Sequence, residues 1–281
     1  MQPSDTPNIP AASEILSAAD IPADMTPSQF RRLCREGRFA THTSGVCPGY
    51  AQANLIVLPY EDAFDFLLFA QRNPKPCPLL EVTEPGVRLT QICAEDCDIA
   101  TDFPRYRVYK DGQLVCEPTD VSDIWRDDLV AFVIGCSFSF ESDLIEAGIE
   151  IRHNTLGCNV PMYITNIPCK PAGKMRGNMV VSMRPLPPQD VVRATMISGA
   201  IPKVHGAPIH IGDPSVIGIK DVMRPDFGDP VTINPGEVPV FWPCGVTPQS
   251  VVMSVKPKFA ITHAPGHMLI TDQKNINLRV Q

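Results

Sequence analysis

Apolar positions along the chain come in short blocks separated by Pro, Gly and acidic clusters, and the spacing inside each block sets the element it predicts. In TPSQFRRLCREGRF, residues 26–39, Phe30, Leu33 and Cys34 recur at helical spacing. Thr26 is a suitable cap, Pro27 fits the first turn and Gly37 stops the helix. NLIVLP, residues 54–59, reads as a short buried strand, and YEDAFDFLLFAQRN as a second helix ended before PKPCP. RYRVYKDGQLVCE, residues 105–117, places Asp111-Gly112 between two strand-like runs, as a two-residue hairpin requires. SDIWRDDLVAFVIG, residues 122–135, reads as helical. Ser137 or Ser139 then caps a further helix that ends at Gly148. VPMYIT and NMVVSM read as strands, and the last hundred residues alternate short apolar runs with Gly and Pro turns.

This alternation predicts a mixed α/β (α+β) architecture. The expected organisation is a tail at 1–12 and two domains. Residues 13–112 plus 186–281 form a larger, discontinuous α/β domain, and 113–185 a smaller α+β domain. The hairpin and the strands near 160–184 are expected to share a small layer. No repeat at a solenoid period occurs.

Composition narrows the function classes. The net charge is -7 and no long basic run stands out, which argues against a nucleic-acid partner. No stretch reaches the length of a membrane span, and the N-terminus lacks the basic start and apolar core of a signal peptide. The expectation is a cytoplasmic chain whose ten cysteines are mostly reduced thiols. Thirty prolines, roughly twice the average usage of about 5%, point to many short elements joined by stiff turns. Cys93 and Cys97 in CAEDC have zinc-ligand spacing but no second pair to match. The histidine pairs His205/His210 and His263/His267 are interrupted by Gly and Pro. No metal and no cofactor is expected. The fingerprints of dinucleotide folds, P-loop NTPases and common serine hydrolases are missing.

Several stretches carry candidate chemistry. In VIGCSFSFESDL, residues 133–144, Cys136 precedes a helix start, where free N–H groups favour a thiolate or hold a carboxylate. Glu141 follows as an acid/base candidate; a buried cysteine beside a helix cap is the plain alternative. In MRGNMVVSMRP, strand alternation puts Arg176, Asn178, Val180, Ser182 and Arg184 on one face, a plate suited to a small carboxylate. RHNT adds the cation Arg152 and a possible proton carrier. IHIGDP and PCGVTPQ read as rigid loops entering helices, with Asp213 or Thr247 as caps. Their neighbours His210, Cys244 and Gln249 complete the candidate set.

Six blocks together, PGYAQANLIVLP, FLLFAQRNPKPCPLLEVTEPG, IGCSFSFESDLIEAGI, GNMVVSMRP, VHGAPIHIGDPSVIGI and PGEVPVFWPCGVTPQ, resemble the D-glutamate cyclase family, whose bacterial members are hydro-lyases by name. The resemblance runs from about residue 25 to the C-terminus. It implies a two-domain α/β protein and loss of water as the reaction, D-glutamate closing to 5-oxo-D-proline. It does not supply a catalytic set. For that chemistry Arg176 or Arg184 would clamp the carboxylate, with Arg152, Asn178, Ser182, Asp213, Thr247 and Gln249 as further binding candidates. Glu141 or His210 would be general acid/base, and N–H groups near Cys136 or after Cys244 would hold an oxyanion. The partner class is a small-molecule carboxylate or amino acid, and a homo-oligomer is compatible with the chain. Two other readings stay open: a non-catalytic carboxylate-binding module, and a cysteine-dependent hydrolase of cyclic amides using Cys136.

Overall fold

Helix α1 (Pro27–Arg35) starts where Thr26 accepts from the Gln29 N–H while Gln29 reaches back to the Thr26 N–H, and it stops ahead of Gly37. The structure is a computed structural model and describes residues 15–280, so the expected tail at 1–12 lies outside the described residues. The run YAQANLIVLP forms β1 (Tyr50–Pro59), nine of whose ten residues are buried. It is followed by α2 (Tyr60–Arg72) and the short β2 (Leu79–Val82). The Asp111-Gly112 turn joins β3 (Tyr106–Lys110) to β4 (Gln113–Cys116), and both turn residues have positive φ, as this tight hairpin needs.

The apolar run over residues 122–135 predicts a helix. These residues do not form one: Ser122–Ile124 is a single 3₁₀ turn and β5 (Leu129–Gly135) is a strand. All seven residues of β5 are buried, because neighbours cover both its faces. A strand buried on both sides has no alternation to display, so its apolar run mimics a buried helix. Chain order continues with α3 (Phe138–Glu146), the single turn α4 (Arg152–Leu156), β6 (Met162–Pro168) and β7 (Asn178–Leu186). Then come α5 (Pro188–Gly199), β8 (His210–Ile211), β9 (Val238–Pro243), α6 (Thr247–Val255), β10 (Phe259–His263) and β11 (Leu269–Lys274).

The architecture is mixed α/β with two antiparallel sheets. The larger runs β2-β5-β1-β10-β3-β4, with β11 beside the first half of β1. The smaller runs β6-β7-β9-β8. The hairpin thus joins the larger sheet, not a layer with β6 and β7. Strands β4 and β5 pair into the larger sheet, while β8 and β9 pair into the smaller.

The core has several parts. One face of the larger sheet, with Leu55, Val57, Val133 and Ile261, packs on the 93–106 segment through Cys93, Cys97, Phe103 and Tyr106. The other face, with Ile56, Leu58, Phe132 and Ala260, packs on Phe66 and Phe69 of α2 and Val251 and Val252 of α6. A third cluster joins Phe140 and Leu144 of α3 and Ala194 of α5 to Leu186, Val240 and Trp242 of the smaller sheet. Helix α3 leaves the larger sheet directly from β5, so this cluster makes it the bridge between the sheets. Among the described residues no helix is long and apolar enough to cross a membrane.

Candidate active site

The bridge begins at Gly135, where a Cβ would lie 2.0 Å from the Lys203 carbonyl oxygen. Only a residue without a side chain lets the 3₁₀ turn at Pro202–Val204 come this close. Cys136 follows, its N–H bonded to the Gln52 carbonyl at 2.9 Å, and Ser137 takes the N-cap position of α3. The Ser137 hydroxyl makes no capping bond; it lies 3.2 Å from Arg184 Nη2 instead. One helical turn later Glu141 lies on the same face, directed at β7.

Arg184 meets it from the smaller sheet. Its Nε donates to Glu141 Oε1 at 3.0 Å, its Nη2 makes a second, closer contact with the same oxygen, and its Nη1 donates to the Ser182 hydroxyl at 3.0 Å. The guanidinium also lies over the rings of Phe140 and Trp242, 5.2 and 5.3 Å from their centroids. His153, on α4, brings Nε2 to 3.1 Å from Glu141 Oε1 and stacks on Phe138. Ser44 donates to Glu141 Oε2 at 3.3 Å and also contacts Asn154 Oδ1. Glu141, His153, Arg184, Ser137 and Ser182 are all buried. Ser44 and Asn154 reach a cavity of about 300 Å³, which His42, Gly45 and Gly157 also line.

Electrostatics fix the resting state of this cluster. Burial pushes the Glu141 carboxyl up, but His153 and Arg184 outweigh it and hold the group below the ordinary carboxylate range. Glu141 is therefore ionised at neutral pH, and it neutralises Arg184. The carboxylate has one oxygen committed to Arg184 and facing His153, and the other offered to a hydroxyl at a cavity wall. Such an arrangement can pass a proton between the cavity and the buried imidazole.

Of the expected binding plate, the strand alternation holds but the plate does not. Val180, Ser182 and Arg184 are buried on one side of β7, whereas Asn178 at its start and Arg176 ahead of it are exposed. Arg184 is fully paired inside the protein, which removes it as a free carboxylate clamp. Arg152 is likewise committed, to Glu150 and Glu237. His210 pairs in register with Phe241, and Phe241 with Met183, so it projects from the face of the smaller sheet opposite Arg184. Its Nε2 bonds the Asp213 carbonyl, and Asp213, exposed, caps only the 3₁₀ turn Pro214–Ile217. Neither joins Glu141.

Cys136 and Cys244 do come together, in one apolar cluster with Phe138, Val180 and Met268. Burial drives the Cys136 thiol far above the neutral range and the Cys244 thiol up to about 11, so both rest as thiols. This removes the low thiol pKa that the helix start was expected to give Cys136. Thr247 is not the cap of α6 but its first residue; its hydroxyl donates to the Cys244 carbonyl and accepts from the Val180 N–H. Gln249 is buried against His263, away from the Glu141 cluster. Sequence reasoning singled out RHNT for Arg152 and a proton carrier, and it is His153 and Asn154 that reach the cluster. Ser44 and His42, in the polar loop THTSG, were missed; that loop carries no motif, only a density of hydroxyls.

A family model described as D-glutamate cyclase matches residues 130–272, the segment holding Glu141, His153 and Arg184. A protein of Clostridium beijerinckii named "Putative hydro-lyase" is 65% identical over 91% of this chain and 97% of its own length. Relatives of the same name from Bordetella petrii and Bacillus subtilis are each 58% identical, covering 92% and 91% of this chain and 98% and 100% of theirs. A crystal structure of a nitrogen repressor-like protein from Methanococcus jannaschii aligns with 89% of this chain and 99% of its own at a TM-score of 0.38 and 8% identity.

Proposed function

The chain belongs to the D-glutamate cyclase family, and from that premise we propose that it is a carbon–oxygen lyase that removes water from a small carboxylate, D-glutamate closing to 5-oxo-D-proline being the specific reaction. The observation that carries the reading is the buried carboxylate of Glu141, held by Arg184 and His153 and joined through Ser44 to a cavity. Ring closure forms a bond between the amine nitrogen and the side-chain carboxyl carbon. Two protons leave the nitrogen, and one carboxyl oxygen departs with both as water. No net proton is consumed, so a relay that takes protons at nitrogen and returns them at oxygen suffices. His153, Glu141 and Ser44 are the groups we assign to that relay. Glu141 lies between the imidazole and the hydroxyl, and Ser44 is the member that meets the substrate. Confinement in the cavity brings amine and carboxyl together, which itself lowers the barrier.

The test is proton NMR of the protein with D-glutamate, following 5-oxoproline above the spontaneous background. Ser44→Ala spares the buried ion pair and is expected to lower the rate by about 10²-fold or more. Wild-type turnover in that variant would sink the relay. Binding without product in the native protein would favour the carboxylate-binding module, and no product with other small hydroxy acids would remove the lyase reading.

A further inference from the structure

A second cleft, of about 410 Å³, lies at the outer end of β3. Arg105 and Arg107 form one wall, Asn159, Asp226 and Asp229 the other, and His267 joins them. Arg107 is paired with Glu117 at 2.5 Å. Among the described residues no carboxylate lies within ion-pair distance of Arg105, and its buried Nε has no hydrogen-bond partner. The far wall is held in place. Asn159 takes its N–H to Asp229 Oδ2 at 2.9 Å and its Nδ2 to the Pro265 carbonyl at 3.2 Å. A Cβ on Gly266 would stand 2.5 Å from that amide, so the turn fits only as glycine.

We propose that this cleft binds a small zwitterion of the amino-acid type, with Arg105 taking the carboxylate and Asp229 the ammonium group. A guanidinium without an internal partner is the group suited to two parallel hydrogen bonds with a carboxylate. The charge balance selects the zwitterion over a plain dicarboxylate. Two guanidinium groups face the three carboxylates of Glu117, Asp226 and Asp229, and burial keeps His267 on the neutral side. A dianion meets net repulsion there, whereas a molecule with its own cation meets a partner for each end. Only the choice of glutamate as first ligand rests on the lyase reading.

Isothermal titration calorimetry of the full chain with D-glutamate, L-glutamate and glutarate tests it. Glutarate lacks the amine. A glutamate enantiomer is expected to bind and glutarate to bind more weakly. Arg105→Gln is expected to weaken glutamate about tenfold or more. Arg105→Lys should recover part of the loss, since it restores the charge without the fork. Asp229→Asn should weaken glutamate while leaving glutarate unchanged. Unaltered glutamate binding in Arg105→Gln, with its melting temperature matching the native protein, overturns the proposal, as does glutarate binding as well as glutamate. Binding is read independently of turnover. Weakened binding in Arg105→Gln, partly recovered in Arg105→Lys, supports this site even if no product ever forms, and that separates its fate from that of the lyase reading.

Discussion

Arg184 shows how far a single residue's role depends on its partner. A guanidinium buried to 0% exposure would be costly alone, and it is tolerable because Glu141 and two hydroxyls satisfy it. The pair joins α3 to β7, and thereby the larger sheet's exit helix to the smaller sheet. Arg184→Ala leaves an ionised carboxylate buried with only His153 and the Ser44 hydroxyl beside it. We expect it to lower stability by about 3–5 kcal/mol in urea unfolding, the cost of breaking a buried pair. A loss below about 1 kcal/mol would mean that the pair behaves as a solvent-screened one. The strand pattern of NMVVSMRP made the shared face of Ser182 and Arg184 legible. It could not show that the face was already filled, because the filling residues, Ser137, Glu141 and His153, lie some 30 to 50 positions away. Glu141 was legible as an acid after a helix start; its partners were not.

At the scale of elements, the connection from β5 to α3 decides where that acid points. Gly135 lies against the Lys203 carbonyl, and its N–H bonds the Pro78 carbonyl at 2.9 Å. Gly135→Ala drives a methyl into backbone, which has no rotamer by which to move aside. The expected cost is about 1–3 kcal/mol or more, with a lowered melting temperature. Because the strain falls at the root of α3, turnover should drop even in the fraction that remains folded. A melting temperature within experimental error of the native protein would show that the Pro202–Val204 turn yields easily. This same junction is where sequence reading divided. The helix after Ser137 was readable from its hydroxyl, acid and closing Gly148, all local signals. The strand before it was not, because β5 lies between β1 and β2 under cover on both faces. Its seven apolar residues record burial without recording which neighbours supply it. By contrast, the Asp111-Gly112 hairpin was legible from two residues, since a tight turn with two positive φ angles admits few others.

For the whole molecule, two buried histidines tie stability to pH. His205 donates from Nδ1 to the Lys75 carbonyl at 2.7 Å, and burial lowers its pKa to about 4. His263 accepts the Leu55 N–H at Nδ1 at 3.0 Å, a bond that requires the neutral ring, and burial lowers it to about 3. In the unfolded chain both titrate near the ordinary value of about 6.5. Below that pH the unfolded state takes up protons that the folded state refuses. Stability is then full above about pH 6.5 and falls as the pH drops toward the folded values, by up to about 1.4 kcal/mol per pH unit for each ring. Glu141 works in the same direction but in a lower window. Its folded pKa lies below the ordinary carboxylate value, so its contribution is complete above that value and is lost only in stronger acid. The two windows make the histidines separable. Urea midpoints at about pH 7, 6 and 5 should fall steadily, in a range where Glu141 contributes nothing to the slope. His205→Asn is the decisive variant. Asparagine tolerates the left-handed backbone at this position, where φ is 84°, and its amide can still donate to a carbonyl, but it does not titrate. The slope between pH 6 and 5 should shrink in this variant, because one of the proton-refusing groups is gone while His263 and the other histidines that burial holds down, His42 and His267, remain. An unchanged slope would mean that His205 is protonated in the folded protein, and the Lys75 contact would then be a bond made by the imidazolium rather than by the neutral ring.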